Sequence, residues 1–157
     1  MKLTKALDQG ICIITMLSRQ VDNLPVSTNV INQRLNGSPS YLQKITRKLV
    51  VAGLVNSVSG NNGGFVLARK PEDINLLEIV EAIEGKIDTY PKSGLFRRFF
   101  ADMPFVDKGE RVIHNTLLEA DAAWSRSLEN KSVQDIIDVT FGSNEAVLID
   151  WNKVSEL

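Results

Sequence analysis

The chain has 157 residues, a formal net charge of −1 and a single cysteine. That length suits one domain or a domain with an appendage, and one cysteine excludes an intramolecular disulfide. No uninterrupted apolar run approaches the ~18–20 residues that a bilayer crossing needs, and no continuous apolar stretch precedes a small-residue cleavage site near the N-terminus. A cytoplasmic protein without a membrane partner is expected. The charge is unevenly placed. Residues 1–70 hold nine Lys and Arg against two acids, Asp8 and Asp22, a balance of +7, whereas residues 71–157 balance at −8. A basic first half beside an acidic remainder fits one face that meets phosphates.

In chain order, Leu7, Gly10, Ile11, Ile14 and Leu17 predict an amphipathic first helix. Cys12 falls on its polar side with Asp8, Thr15 and Arg19, where it is either an inert small side chain or an exposed thiol able to act as a redox switch. Residues 25–37 read as a short second helix, with Ser27 as N-cap, Ile31 and Leu35 buried, and Gly37 as terminator. Ser38 as N-cap and Pro39 at the first helical position start a third helix, which Gly53 ends in the left-handed region. Leu42, Ile45, Leu49 and Ala52 form its apolar stripe, and the opposite side carries Ser40, Tyr41, Lys44, Arg47 and Lys48 with no acid.

Two β-prone runs, Leu54–Val58 and Phe65–Ala68, flank a Gly/Asn-rich turn. Two helices separated by one glycine and followed by a hairpin are the layout of a winged helix-turn-helix, whose second helix enters the major groove of duplex DNA. On this reading Ser38, Ser40, Tyr41, Gln43, Lys44 and Arg47 line the groove, Thr28 and Lys48 meet phosphates, and Asn61 and Asn62 sit at the wing tip.

Further along, Asn75 with Glu78 predicts a capping box and Ile74 a staple onto Ile79. Leu76, Ile79, Val80 and Ile83 form the buried stripe of that helix, which Gly85 closes. Residues 86–107 break the pattern with Pro91, Gly94 and Pro104. From Glu110 to Asn130 a helical pattern returns, with Ile113, Leu117, Ala120, Trp124 and Leu128 on one stripe. Such a helix is about 30 Å long, so the same helix of a second subunit is its simplest cover and these five residues are the expected dimer interface. A last helix is expected over Ser132–Phe141, and Val147, Leu148, Ile149 and Trp151 make the tail too apolar to stay free.

The fold class expected is therefore mainly α with a small β-hairpin wing. The expected division is a winged helix-turn-helix domain over 1–85, a loop over 86–107, a dimerisation helix over 108–131, and a C-terminal helix with docked tail over 132–157. Enzymatic readings find little footing. The glycine turn lacks the Gly-Lys-Ser/Thr of a phosphate loop, and the one histidine, His114, lies inside the apolar-striped helix. No catalytic, cofactor-binding or metal-binding residues are assigned.

Ser38-Pro-Ser-Tyr-Leu42, Ala52-Gly-Leu-Val55, Gly63-Gly-Phe65 and Leu76–Gly85 occur here in the order seen in the BadM/Rrf-two family of bacterial transcription regulators. Met1-Lys-Leu-Thr4 and residues 128–136 match as well, so the chain resembles that family over about residues 1–137. The resemblance implies a symmetric dimer on the long helix that reads a pseudo-palindromic operator, more often as a repressor than as an activator. It also implies an arginine in the wing, where this chain has Ser59, and places Gln43 where an iron–sulfur member has a glutamate. Glutamine can bond an adenine edge.

Iron–sulfur members carry three cysteines in the loop before the long helix, because thiolates hold such clusters. Here the loop has none, although His114 falls at the position of a histidine ligand, so no iron–sulfur cofactor is expected. Tyr90, Phe96 and Phe99 with Arg97, joined by His114, make a candidate pocket for a small anionic effector or an acidic segment of a regulatory protein. Equally, these rings fill the gap between the long helix and the winged domain. The non-enzymatic alternative is a protein-interaction module that keeps the fold without operator binding.

Overall fold

A computed structural model describes residues 3–142 and 147–154. Its elements are α1 (Lys5–Ser18), α2 (Thr28–Leu35), α3 (Pro39–Val51), β1 (Val55–Val58), β2 (Gly64–Leu67), α4 (Leu76–Glu84), α5 (Leu95–Phe99), α6 (Val106–Glu129) and α7 (Val133–Phe141). Short 3-10 turns at Val21–Asn23 and Pro71–Asp73 link α1 to α2 and the hairpin to α4.

The helices start where the caps predict. Ser27 accepts from the Val30 N–H at 3.3 Å and Ser38 from the Tyr41 N–H at 3.3 Å. Asn75 and Glu78 complete a reciprocal capping box, at 3.0 Å in both directions. The terminator of α2 differs from expectation. Asn36, at φ 45°, takes the left-handed position, and Gly37 follows outside the helix. Gly53 ends α3 with φ 68° as predicted.

One apolar core gathers Leu7, Ile13, Ile14 and Leu17 from α1, Ile31 from α2, Leu42, Ile45 and Leu49 from α3, and Ile79, Val80 and Ile83 from α4. Ile13, absent from the predicted stripe, is fully buried, whereas Ala52 is exposed because α3 has already ended at Val51. Gly10 brings α1 close to α4, since a Cβ there would stand 3.0 Å from Ile83 Cγ1. The core also includes Val133 and Ile137 of α7, so its packing runs past residue 85. Helices α4 and α7 start side by side: Leu76 N–H donates to Lys131 O at 2.9 Å and Val133 N–H to Ile74 O at 2.8 Å.

The hairpin is antiparallel, with Val55 opposite Leu67 and Val58 opposite Gly64. It is fastened to the helical core by Val26 and Phe65, which exchange two backbone hydrogen bonds of 2.9 Å each. Gly64 makes this approach possible, because a Cβ there would lie 2.1 Å from Val26 O.

The structure departs from expectation in three further respects. Residues 86–107 include the short helix α5, and α6 begins at Val106, four residues before the expected Glu110. The apolar stripe of α6 is split: Trp124 and Leu128 pack onto the protomer's own core, while Ile113 and Ala120 are exposed. Arg19, expected on a polar face, is 6% exposed, with its guanidinium donating to Val147 O and lying 4.4 Å from the Phe141 ring centroid. Cys12 is exposed.

Two outcomes follow. Gly64→Ala should lower stability in denaturant unfolding by about 1–3 kcal/mol or more, as overpacking does. A variant as stable as the parent would show that the wing is not held by this close approach. The second concerns acid. Ser132 donates to Asp135 from its backbone N–H and, secondarily, its hydroxyl, holding that carboxyl below its ordinary value of 3.8. Its stabilising contribution is complete above that ordinary value and is lost as pH falls through the lower folded value. Asp135→Asn should therefore remove part of the loss of α7 protection, measured by amide exchange, below about pH 4; an unchanged acid profile would contradict this.

Candidate nucleic-acid interface

The buried side of α3 holds Leu42, Ile45, Thr46 and Leu49, and Thr46 closes its own hydroxyl onto Leu42 O at 3.1 Å. With one side anchored, Ser40, Tyr41, Gln43, Lys44 and Arg47 all remain exposed along the other. The N-terminal turn is tightened by the Ser38 cap, which puts Ser38 and Ser40 hydroxyls 3.4 Å apart. Thr28, at the first position of α2, is exposed, and so are Asn61 and Asn62 at the wing tip. All ten expected contact residues are thus solvent-facing, on three elements joined through the Val26–Phe65 bridge.

Lys48 stands apart from the others. Its ammonium donates to Ile83 O in the last turn of α4, where the helix dipole and unpaired carbonyls favour a cation. That contact competes with a phosphate for the same donor. The sequence missed a further neighbour: Glu81 of α4 shares a cleft with Lys44, Arg47 and Lys48. Its carboxylate softens the field of an otherwise acid-free face. No local signal links Glu81 to α3, since the approach of α4 is set by the core.

The proposed effector residues do not leave an open cation. Arg97 is engaged by Asp107 at 2.9 Å and Glu110 at 3.2 Å. Phe96 stacks on Phe100 with centroids 4.9 Å apart and lies against Gly109, where a Cβ would meet its ring at 3.1 Å. Phe99 is 76% exposed and Tyr90 is also exposed. His114 is half-buried, with an Nδ1 that has no hydrogen-bond partner among the described residues. Thr89 fixes the loop's start to α6, donating to Asp121 from its hydroxyl at 2.7 Å and its N–H at 3.1 Å. These bonds, the hydroxyl first, hold the Asp121 carboxyl below its ordinary value. An anion at this place would have to compete with two carboxylates for Arg97.

The expected dimer residues separate in the same way. Trp124 and Leu128 are taken up by the protomer's own core. Ile113, Ala120 and the half-buried Leu117 remain in the middle of α6, near exposed Val112 and Leu118.

The loop before α6 offers no thiolate of the kind that holds an iron–sulfur cluster. The one cysteine lies on α1, the loop before α6 has none, and no group of three or more His, Cys, Asp or Glu among the described residues is arranged to hold a metal ion. Among the described residues, no helix is long and apolar enough to cross a membrane.

The two lysines should behave differently on substitution. Lys44→Ala should weaken DNA binding and lower the slope of log affinity against log salt by about one. Lys48→Ala should act mainly on stability, by about 1 kcal/mol for a lost hydrogen bond, with a smaller change in salt slope. Equal slopes in both variants would mean that Lys48 leaves Ile83 to meet a phosphate.

Comparison with known proteins agrees with this arrangement. Residues 3–139 match the Rrf2 family, described as an iron-dependent transcriptional regulator. The chain is 34% identical over 140 residues to YwgB of Bacillus subtilis (strain 168), covering 88% of this chain and 85% of that protein. It is 33% identical over 153 residues to YffB of Lactococcus lactis subsp. lactis (strain IL1403), covering 96% and 97%. Both relatives are named as helix-turn-helix transcriptional regulators. Among solved structures it is similar to CymR, the global cysteine regulator of B. subtilis, with a TM-score of 0.64 at 24% identity, covering 87% of this chain and 95% of that one. That likeness bears on the fold alone, a mostly helical chain with one small antiparallel wing. The family match spans most of the sequence, and two helices and a wing stand in one frame: the chain belongs to the Rrf2 family of helix-turn-helix transcriptional regulators.

Proposed function

We propose that the protein acts as a homodimeric repressor, reading a pseudo-palindromic operator without an iron–sulfur cluster. The observation that carries this reading is the acid-free side of α3. Ser40, Tyr41, Gln43, Lys44 and Arg47 are all exposed on a helix whose other side is buried in the core. Gln43 offers an amide for a base edge, and Lys44 and Arg47 supply charge for phosphates or guanine. Thr28 and the wing tip would flank this helix on the sugar–phosphate backbone. Ser59 gives the wing a neutral base, so minor-groove reading by the wing is weaker than in members with arginine there.

Dimerisation supplies the second half-site, about one helical turn or ~34 Å away. The middle of α6 and the neighbouring α5 leave Leu95, Phe99, Val112, Ile113 and Leu118 exposed, between 38% and 76%. A second copy of the same surface would cover them. The absence of thiolates from the loop before α6 favours a regulator that responds to something other than a cluster-borne signal.

Gel shifts on duplex from upstream of the protein's own coding sequence, at two salt concentrations, test the operator reading. A salt-sensitive, sequence-selective complex supports it, and equal retention of unrelated duplex contradicts it. Leu117→Glu should give monomers in sedimentation, with operator affinity reduced by tenfold or more on the arithmetic of paired sites. An intact dimer in that variant would move the interface elsewhere. Protein purified without oxygen should be colourless and free of stoichiometric iron; bound iron with visible absorption would overturn the cluster-free assignment.

A further inference from the structure

Beyond the family match, which ends at residue 139, the last described residues run back across the DNA-binding half. Ile149 pairs with the chain after α1: its N–H donates to Arg19 O at 2.8 Å, and Val21 N–H donates to Ile149 O at 3.1 Å. Trp151 donates its indole N–H to Met16 O at 2.8 Å and its backbone N–H to Gln20 Oε1 at 3.0 Å. Its ring also lies under the Arg34 guanidinium, 4.8 Å from centroid to carbon, in the last turn of α2. Asn152 then clasps the start of α2. Its Nδ2 donates to Pro25 O at 2.9 Å, and its Oδ1 accepts from Ser27 N–H at 3.0 Å.

Apolar burial accounts for only part of this course: Trp151 packs against the core, but Val147 and Leu148 stay 68% and 54% exposed. The contacts are directional and they converge. Pro25 and Ser27 flank Val26, the residue that exchanges both its backbone hydrogen bonds with Phe65 of the wing. This three-residue segment is therefore held from the tail on one side and from the wing on the other. Asn152 and Lys153 also share a cleft with Asn61, Asn62, Ser27 and Val30, so strap, wing tip and α2 meet at one place.

We propose that residues 147–154 are a strap that sets the helix-turn-helix against the wing, with Asn152 and Trp151 as its positioning residues. Neither side chain needs to touch DNA. Asn152 acts through Ser27, the N-cap of α2, and Trp151 acts through Met16 and Arg34, so the strap ties α1 to both ends of α2. The consequence for DNA binding rests on the operator reading above; the coupling between strap and wing does not.

The experiment compares the full chain with Asn152→Ala and Trp151→Phe, the latter keeping a ring beside Arg34 but losing the indole donor. Operator affinity should fall about tenfold in Asn152→Ala, on the scale of one or two lost hydrogen bonds, with the salt slope unchanged because no phosphate contact is removed. Amide exchange should quicken at Ser27, whose acceptor is gone, and also at Val26 and Phe65, whose hydrogen bonds are to each other and not to Asn152. Trp151→Phe should give the same pattern at smaller amplitude. Unchanged operator affinity, or faster exchange confined to Ser27, would overturn the proposal. If the unaltered chain retained no DNA, the operator reading would fail by that result, and the exchange at Val26 and Phe65 would still decide whether the strap positions the wing.

Discussion

The structure depends on one short contact, the exchange of hydrogen bonds between Val26 and Phe65 across Gly64. A two-stranded hairpin is marginal by itself in water, and this wing has only four residues in each strand. Pairing with Val26 adds a third strand's worth of bonding at one point and ties the wing to the chain that enters α2. From there the orientation of the interface propagates. Asn36 turns the chain at φ 45°, Ser38 caps the next helix, and Ile31 and Leu42 are both sealed in the core. The angle between wing and recognition helix is thus set by backbone geometry and packing before any charge is considered.

Charge then decides what the surface can meet. A net charge of −1 would argue weakly against nucleic acid, but the balance is spatial. Helix α3 carries no acid, and all the acidic residues but Asp8 and Asp22 fall after residue 70. The protein does not leave every cation free. Lys48 is drawn to the carbonyl end of α4, and Arg97 is held by Asp107 and Glu110. Exposed cations such as Lys44 and Arg47, with no ion-pair partner among the described residues, are the ones whose counterions DNA can displace with little cost.

Local chemistry made the first half of the chain legible. Ser38-Pro39, Gly53, Gly60 and the Asn75/Glu78 pair are signals that act within a few residues, and each has its expected conformation or partner. Features set by distant partners were hidden. The stripe of α6 is periodic along its length, yet only tertiary packing tells that Trp124 and Leu128 face their own core while Ile113 remains outside. Arg97 reads as an open cation until α6 brings Glu110 beside it. The path of the tail rests on pairs more than 120 residues apart, such as Trp151 with Met16 and Asn152 with Pro25, for which no spacing rule exists.

The central claim is that α3, the start of α2 and the wing tip form one surface for duplex DNA. Backbone amide shifts recorded while operator duplex is added test it most directly. Thr28, residues 38–48 and Asn61–Asn62 should shift together and saturate at one stoichiometry, with α5 and the middle of α6 unmoved. Shifts confined to residues 86–120, with the recognition helix unperturbed, would contradict it.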